Sequence, residues 1–348
     1  MVAEMSSLER CMTVLHGGIP DRVPVCLENF MHAATIGGYT ISEYCQDGEK
    51  IANAHILTWQ KFHHDMLDVE NGVAALAQAV GCGVEFTDDA APWVIAPAIE
   101  SLDQVDQLKP IDPYQDGTLP EMLKATRLLS RELGRHVCLL VEADQGPFSL
   151  AAQIVGTQEF LMALLEPHKE ILVHRLLEYA YDQVLCYGRA LIEAGAHLTM
   201  MGESISGPDV CSPAVYRRFA QPYQKRLIET LRAEGKEMGI HICGNATKII
   251  EPMVATGSIF LQVDYKIKHE VCKGAAQGKT TLIGTVDPSG VIALGTPEKV
   301  LTAARHDLEI LAPAGGFILS PGCVLPHTTP DDNVIALVEA AKAYGQYN

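Results

Sequence analysis

The feature that most constrains the fold is a regular alternation of short apolar runs and amphipathic stretches, from residue 136 to the C-terminus. The apolar runs predict strands, and the stretches between them predict helices. Alternation with short connections indicates a parallel sheet, and about eight such units over this length favour a closed (β/α)8 TIM barrel. A doubly wound open sheet is the alternative. The predicted strands of this region are His136–Glu142, His197–Gly202, Met238–Cys243, Ile259–Asp264, Thr281–Val286 and Phe317–Ser320.

The N-terminal part is less regular, but it can supply the remaining strands of an eight-stranded barrel. An amphipathic helix is predicted over Ser6–Gly17, and helices also over Ile41–Lys61 and Leu119–Leu133. The predicted strands here are Asp21–Glu28, Asp65–Glu70 and Gly83–Asp89. No linker, repeat or low-complexity segment interrupts the chain, so we expect one barrel domain over residues 1–348, with a helical extension at about 1–20.

Composition narrows the class of protein. The formal net charge of −17 argues against binding to nucleic acids or anionic membrane surfaces, which need clustered Lys and Arg. No run approaches the ~20 apolar residues of a membrane span, and Met1–Arg22 lacks the apolar core of a secretory signal. The ten cysteines show no disulfide framework spacing. We therefore expect a cytoplasmic protein with reduced thiols.

The segment Met238–Asn245 combines a strand with two potential metal ligands. Side chains alternate along a strand, so His241 and Cys243 project to the same side. Another predicted strand leads through a Gly-Cys turn to Cys323, a candidate third ligand. Two sulfurs and one imidazole suit a catalytic zinc with a fourth position open for substrate.

The alternative is that these residues are structural. Cysteine is commonly a buried small hydrophobe, and histidine often only satisfies a hydrogen bond in the core. No CxxC pair, the stronger zinc signature, is present. The position of both segments at strand ends, where barrel enzymes keep their reactive groups, favours the metal site.

Most predicted strands end in acidic residues. A carboxylate at a strand end can also cap the following helix, and this alternative is favoured for Glu142. Glu203 and Asp264, close to His241 in chain order, are candidates for a catalytic role or the fourth ligand position; capping, or a hydrogen bond to His241, is the alternative for both. The acidic strand ends are Glu28, Glu70, Asp88, Glu142 with Asp144, Glu203, Asp264 and Asp287.

Several segments together resemble the uroporphyrinogen decarboxylase superfamily, and within it the zinc-dependent methyltransferases that act with corrinoids, such as the methylcobamide:coenzyme M methyltransferases. The resemblance covers nearly the whole chain. It implies a (β/α)8 barrel of the uroporphyrinogen decarboxylase type and zinc ligands His241, Cys243 and Cys323. The segments that carry it are Asp21–Val25, Gly146–Ala151, His241–Asn245, Ile283–Pro288 and Gly316–Cys323.

The chain departs from true decarboxylases after the first strand. Those enzymes have arginines there that bind the substrate's carboxylates, whereas this chain has Leu27–His32 and no arginine until Arg127. Asp88 matches a decarboxylase aspartate in a similar Phe-x-Asp context. Asp88 and Asn245 are our two candidates for substrate binding.

The resemblance implies methyl transfer between methyl-cobalamin on a partner corrinoid protein and a small substrate. Two thiolates and a neutral imidazole give a zinc site with no net formal charge, which suits activation of a thiol. A thiol acceptor such as coenzyme M is the favoured substrate. Demethylation of a methoxylated aromatic or other methyl donor is the first alternative, and tetrapyrrole decarboxylation the second. A non-enzymatic barrel that docks a corrinoid protein around a structural zinc is the third. No D-x-H-x-x-G corrinoid motif surrounds any of the 13 histidines, so the corrinoid is expected on the partner.

Overall fold

The computed structural model describes residues 4–347, and within them eight strands form one parallel sheet. Its order is β1-β2-β5-β6-β7-β8-β9-β10. The sheet closes on itself where Val25 bridges Leu319 in parallel and the Leu319 N–H donates to the Pro24 carbonyl at 2.9 Å. The fold is therefore the closed (β/α)8 barrel, and the open sheet is excluded. The barrel strands are β1 (Cys26–Glu28), β2 (Met66–Val69), β5 (Cys138–Gln145), β6 (Leu198–Gly202), β7 (Met238–Ile242), β8 (Phe260–Val263), β9 (Thr281–Val286) and β10 (Phe317–Pro321).

Helices surround the barrel, and most follow a strand. None of the helices within residues 4–347 is both long and apolar enough to cross a bilayer. They are α1 (Ser7–Leu15), α2 (Phe30–Gly37), α3 (Ile41–Cys45), α4 (Gly48–Phe62), α5 (Ala75–Val80), α6 (Leu119–Leu133), α7 (Pro147–Val155), α8 (Thr157–Ala163), α9 (Glu170–Glu193), α10 (Pro213–Val215), α11 (Gln221–Ala233), α12 (Ile250–Val254), α13 (His269–Ala276), α14 (Pro297–Leu311) and α15 (Asp331–Tyr344).

Helix α1 closes the amino-terminal end of the barrel. Ser6 and Glu9 form a reciprocal capping box at its start. Its apolar face, with Cys11, Val14 and Leu15, joins a separate core cluster inside the barrel. The barrel side of that cluster is the floor, formed by Cys26, Met66, Cys138, Leu140, Leu198, Met200, Phe260, Ile283 and Ile318.

One short strand predicted for the barrel lies outside it. The segment predicted as the strand Gly83–Asp89 instead forms β3 (Gly83–Glu85), which pairs antiparallel with β4 (Trp93–Ala96) in a hairpin. Its alternating apolar and polar residues suit a half-exposed antiparallel strand, whereas barrel strands are continuous apolar runs. β2 therefore pairs directly with β5. The prediction that Asp88 ends a barrel strand is wrong.

The predicted helix over Ile41–Lys61 is two helices, because Asp47 interrupts it. The Asp47 carboxylate accepts hydrogen bonds from the backbone N–H groups of Glu49 and Lys50 and so begins α4. Helices α2 and α5 were not predicted. They lie in the connections that follow β1 and β2, at the end of the barrel where the functional residues collect.

Candidate metal centre

The structure brings His241, Cys243 and Cys323 together at the mouth of the barrel. The Nε2 atom of His241 lies 2.9 Å from the Cys243 sulfur, and the two cysteine sulfurs are 3.4 Å apart. All three potential ligand atoms lie within 4.8 Å of one another. All ten cysteines are free thiols, so these two are available as ligands.

Strand geometry and two neighbouring side chains fix the position of Cys243. His241 lies within β7, and the chain leaves the strand through Cys243 into a turn at Gly244, whose φ of +80° favours glycine. The Gly244 N–H donates to the Asp264 carboxylate at 2.7 Å, and the Cys243 N–H donates to Ser204 Oγ at 3.2 Å. Both contacts hold the turn that presents the sulfur.

The three side chains are electrostatically linked. The hydrogen bond between the cysteines is the main cause that lowers the pKa of Cys243 to about 3, and the charge of His241 acts in the same direction. The same hydrogen bond, together with burial, raises the pKa of Cys323. Burial would lower the pKa of His241, but the negative charges of Cys243 and Glu28 outweigh it and raise this pKa to about 10.

The donor set fits zinc. Tetrahedral zinc with Zn–S bonds of about 2.3 Å and Zn–N bonds of about 2.0–2.1 Å holds its ligand atoms about 3.5–3.8 Å apart. The observed 2.9 and 3.4 Å separations are shorter by a few tenths of an ångström or slightly more, which small side-chain rotations can supply. Three converging protein ligands are the number found in catalytic zinc sites, where substrate takes the fourth position.

Four buried carboxylates share the barrel interior with this triad. Glu28, Glu70 and Glu142 place carboxylate oxygens within 4.8 Å of one another, and each side chain is at most 8% exposed. Asp68 is 1% exposed and accepts a hydrogen bond from Gln262 at 2.9 Å. The sequence analysis placed Glu28, Glu70 and Glu142 at strand ends, but it did not show that they converge and it did not name Asp68. Capping, the interpretation favoured for Glu142, is not its contact here.

Glu203 has the arrangement that the capping alternative describes. Its carboxylate accepts hydrogen bonds from the backbone N–H groups of Phe148 and Ser149, at 3.1 Å each, and from the Ser149 hydroxyl. These groups form the first turn of α7. Burial nevertheless raises the pKa of Glu203 to about 7. Its oxygens are not among the converging ligand atoms at His241, so we assign it to positioning α7.

Asp264 acts on the same turn as the metal ligands. One of its oxygens accepts the Gly244 N–H, and the other accepts the Lys266 N–H at 3.1 Å. With both oxygens engaged by backbone N–H groups, Asp264 is placed to position Cys243, a contact that differs from both predicted alternatives, helix capping and a hydrogen bond to His241. Asp287 caps the turn after β9 through the N–H groups of Ser289 and Gly290.

The two substrate-binding candidates lie at the periphery. Asp88 is exposed in the loop between β3 and β4, where its backbone carbonyl accepts the Ile41 N–H at 3.0 Å. Asn245 is also exposed, and its side chain accepts the Thr247 N–H at 3.2 Å. The structure does not bring either residue to the triad by a hydrogen bond, and their substrate role stays a prediction.

The fold and the reactive groups at the carboxyl ends of its strands define a (β/α)8 barrel enzyme with a candidate zinc centre. The chain belongs to the uroporphyrinogen decarboxylase (URO-D) family, which matches residues 6–344.

Relatives that match nearly the whole chain include methylcobamide:CoM methyltransferases. The methylcobamide:CoM methyltransferase MtbA of Methanosarcina mazei is 28% identical over 350 residues, with 99% of each chain covered. A uroporphyrinogen decarboxylase of Thermus thermophilus is 29% identical over 308 residues, with 86% of each covered. A solved methyltransferase from Methanosarcina mazei has the same fold, with a TM-score of 0.89, 24% identity and coverage of 98% of this chain and 99% of that one.

Proposed function

We propose that the protein transfers a methyl group between a corrinoid on a partner protein and a small substrate, with zinc held by His241, Cys243 and Cys323. A thiol is the favoured acceptor. The observation that carries the proposal is the convergence of these three ligand atoms within 4.8 Å at the barrel mouth.

The class of enzyme rests on the relatives. Methylcobamide:CoM methyltransferases match this chain from end to end, so the protein is a corrinoid-dependent methyltransferase. The identity of the metal, the acceptor and the direction of transfer are the parts we propose.

The ligand set has a defined chemical consequence. These three residues would hold zinc, which would supply a lowered pKa to an incoming thiol while its sulfur stays nucleophilic. The protein's own part is to deliver two sulfurs and one imidazole from two strands, with Asp264 and Ser204 holding the turn after β7. Zinc takes the thiolate and neutral imidazole forms of its ligands, so its binding would displace the protons favoured by the raised pKa values of His241 and Cys323.

The overall reaction balances without a further reagent. The acceptor thiol loses its proton to solvent, its sulfur forms a bond to the methyl carbon, and the carbon–cobalt bond breaks with both electrons left on cobalt. In the opposite direction, the reduced cobalt would take the methyl group from a methylated donor.

Decarboxylation of a porphyrinogen is a weaker candidate because of the charges inside the barrel. A substrate with many carboxylates would meet Glu28, Asp68, Glu70 and Glu142, which are buried there. Within residues 4–347, no Lys or Arg forms an ion pair with these four side chains. Like charges brought together in a buried site repel strongly.

The test combines metal content with an optical assay. Purified protein is expected to hold about one zinc per chain and to convert methyl-cobalamin to cob(I)alamin when a thiol is added, with His241→Ala losing both. The Glu339→Gln variant, on the outer helix α15, is the control and should keep both. If cob(I)alamin is methylated by an aryl methyl ether while thiols are inert, the direction is the reverse of our proposal. Full activity in metal-free protein would overturn the zinc assignment.

A further inference from the structure

The interior of the barrel changes from apolar to acidic along its axis. Cys26 and Met66 belong to the apolar floor. Because side chains alternate, the residues two positions further along these strands, Glu28 and Asp68, also face the interior. Glu28 pairs with Asp68 in the register of β1 and β2, so the two lie side by side.

Glu70 and Glu142 continue this acidic layer toward the mouth. Glu70 is two residues beyond Asp68, and Glu142 is two residues beyond the floor residue Leu140. The carboxylate oxygens of Glu28, Glu70 and Glu142 converge within 4.8 Å, and we call these three residues the glutamate cluster.

Within residues 4–347, no Lys or Arg forms an ion pair with the glutamate cluster, and the charge of His241 acts on Glu28 and Glu70 from the neighbouring triad. Glu28 and Glu70 are each 3% exposed, and an oxygen of each is buried without a hydrogen-bond partner among residues 4–347. Like charges in such a site destabilise each other unless a cation or protons join them. Burial, followed by the charge of the neighbouring acids, accordingly raises the pKa of Glu70 and of Glu142.

Asp68 supplies a second observation that points to a ligand. Its side chain is 1% exposed and lies in the same interior layer, where Oδ2 accepts from Gln262 on β8. Its other oxygen, Oδ1, is buried and has no hydrogen-bond partner in the described chain. A buried acceptor without a donor is costly, so this oxygen also calls for a ligand that donates hydrogen bonds.

The glutamate cluster adjoins the metal triad. The chain bearing Glu28 runs beside the segment that leads to Cys323, because Val25 bridges Leu319 and the Leu325 N–H donates to the Glu28 carbonyl at 2.9 Å. A small thiol with its sulfur at the triad would therefore extend its other end toward these carboxylates.

We propose, building on the thiol-methylating function above, that the acceptor carries an ammonium group that Glu28, Glu70 and Glu142 bind. A primary ammonium has three donors, and with N···O distances of about 2.9 Å its three acceptors lie about 4.7 Å apart. The cluster presents three acidic side chains within that spacing. A sulfonate at the same place would instead add a further negative charge.

The decisive experiment compares three two-carbon thiols that differ only in their terminal group. Cysteamine is cationic, 2-mercaptoethanol is neutral and 2-mercaptoethanesulfonate is anionic. Each is used to demethylate methyl-cobalamin with the zinc-loaded enzyme, and kcat/KM is measured. We expect cysteamine to exceed 2-mercaptoethanol by about tenfold or more, and the sulfonate to be the poorest.

A matched pair of variants locates the effect. Glu70→Gln is expected to reduce the cysteamine to 2-mercaptoethanol ratio several-fold, whereas Glu339→Gln on α15 leaves the ratio unchanged. Thermal melting checks that each variant is folded, and zinc content checks that each holds its metal. Calorimetric binding of cysteamine supplies a readout that does not depend on turnover.

The outcomes separate this inference from the proposed function. If the sulfonate is as good as cysteamine or better, the ammonium assignment fails while thiol methylation stands. Equal losses for all three thiols in Glu70→Gln would show a merely structural role and also overturn it. A second divalent metal retained after dialysis, and lost in Glu70→Gln, would assign the cluster to a metal instead. If no thiol reacts, the proposed function fails and the inference with it.

Discussion

Removal of Cys323 tests the metal centre with the least disturbance to the fold. Its sulfur lies 3.4 Å from that of Cys243, and its side chain is only partly buried at the end of β10. Replacement by alanine therefore removes one ligand and leaves little cavity. A partly exposed substitution of this kind costs roughly 0.5–1 kcal/mol of stability.

The effect on zinc should be much larger than the effect on folding. Structural zinc sites with four ligands bind with about 10–16 kcal/mol, so one ligand carries roughly 3–4 kcal/mol. The Cys323→Ala variant should thus bind zinc about 10² to 10³ times more weakly. Since the barrel core is formed by apolar clusters that do not include this residue, unfolding should stay cooperative.

The assay is elemental analysis after dialysis, followed by competition with a chelator to obtain the Kd for zinc. Cys186→Ala is the matched control, because Cys186 is another partly buried free thiol, on helix α9. It should keep wild-type affinity. Full zinc content with unchanged affinity in Cys323→Ala would refute the assignment of Cys323 as a ligand.

Three further predictions concern Glu203, Gly244 and the absence of bound corrinoid. The pKa of Glu203 is raised from 4.5 to about 7 in the folded protein, so protonation of this carboxyl stabilises the folded state. The stabilisation is complete below about pH 4.5 and is lost as the pH rises to about 7. Urea unfolding across that window should therefore show a fall, by up to about 3 kcal/mol from this group, that Glu203→Gln lessens; a steeper fall in the variant would contradict it. Gly244→Ala should cost about 1–2 kcal/mol through its positive φ and also weaken zinc binding, whereas Gly235→Ala, with a φ of +72° and open space around it, should cost stability alone. Purified protein should show no stoichiometric corrinoid in its visible spectrum, and a tightly held corrinoid would remove the need for a partner carrier.

The barrel strands were predictable because their burial leaves a clear mark on the sequence. The runs that became β7, β9 and β10 are nearly continuous apolar stretches, as expected for strands covered on both faces. The convergence of the candidate zinc ligands was predictable for a related reason, since alternation puts His241 and Cys243 on one face and the resemblance supplied Cys323.

The glutamate cluster could not be predicted, because it depends on which strands are neighbours. Glu28, Glu70 and Glu142 lie far apart in sequence, and they meet because β1, β2 and β5 are adjacent. Assigning Gly83–Asp89 to the barrel would have inserted a strand between β2 and β5. That error separates Glu142 from the other two.

Which helix an acid caps could not be predicted, for a similar reason. Glu203 follows β6, but the helix it caps is α7, which follows β5. The contact joins residues 55 positions apart, and no local pattern records it. Glu142, by contrast, lies inside the barrel rather than beside a helix start. Which acid caps and which faces the interior is decided by the packing of neighbouring units.

The closed floor has a consequence for the order of events. With α1 and the floor side chains sealing the amino-terminal end, the small substrate and the methyl carrier of the proposed reaction would both approach the triad from the mouth. A carrier protein seated on that mouth stands in the way of the smaller molecule. Kinetics should therefore be of the compulsory-order type, in which the small reactant enters before the carrier docks and the small product departs after it leaves. An excess of carrier would then slow turnover, because it would occupy empty enzyme.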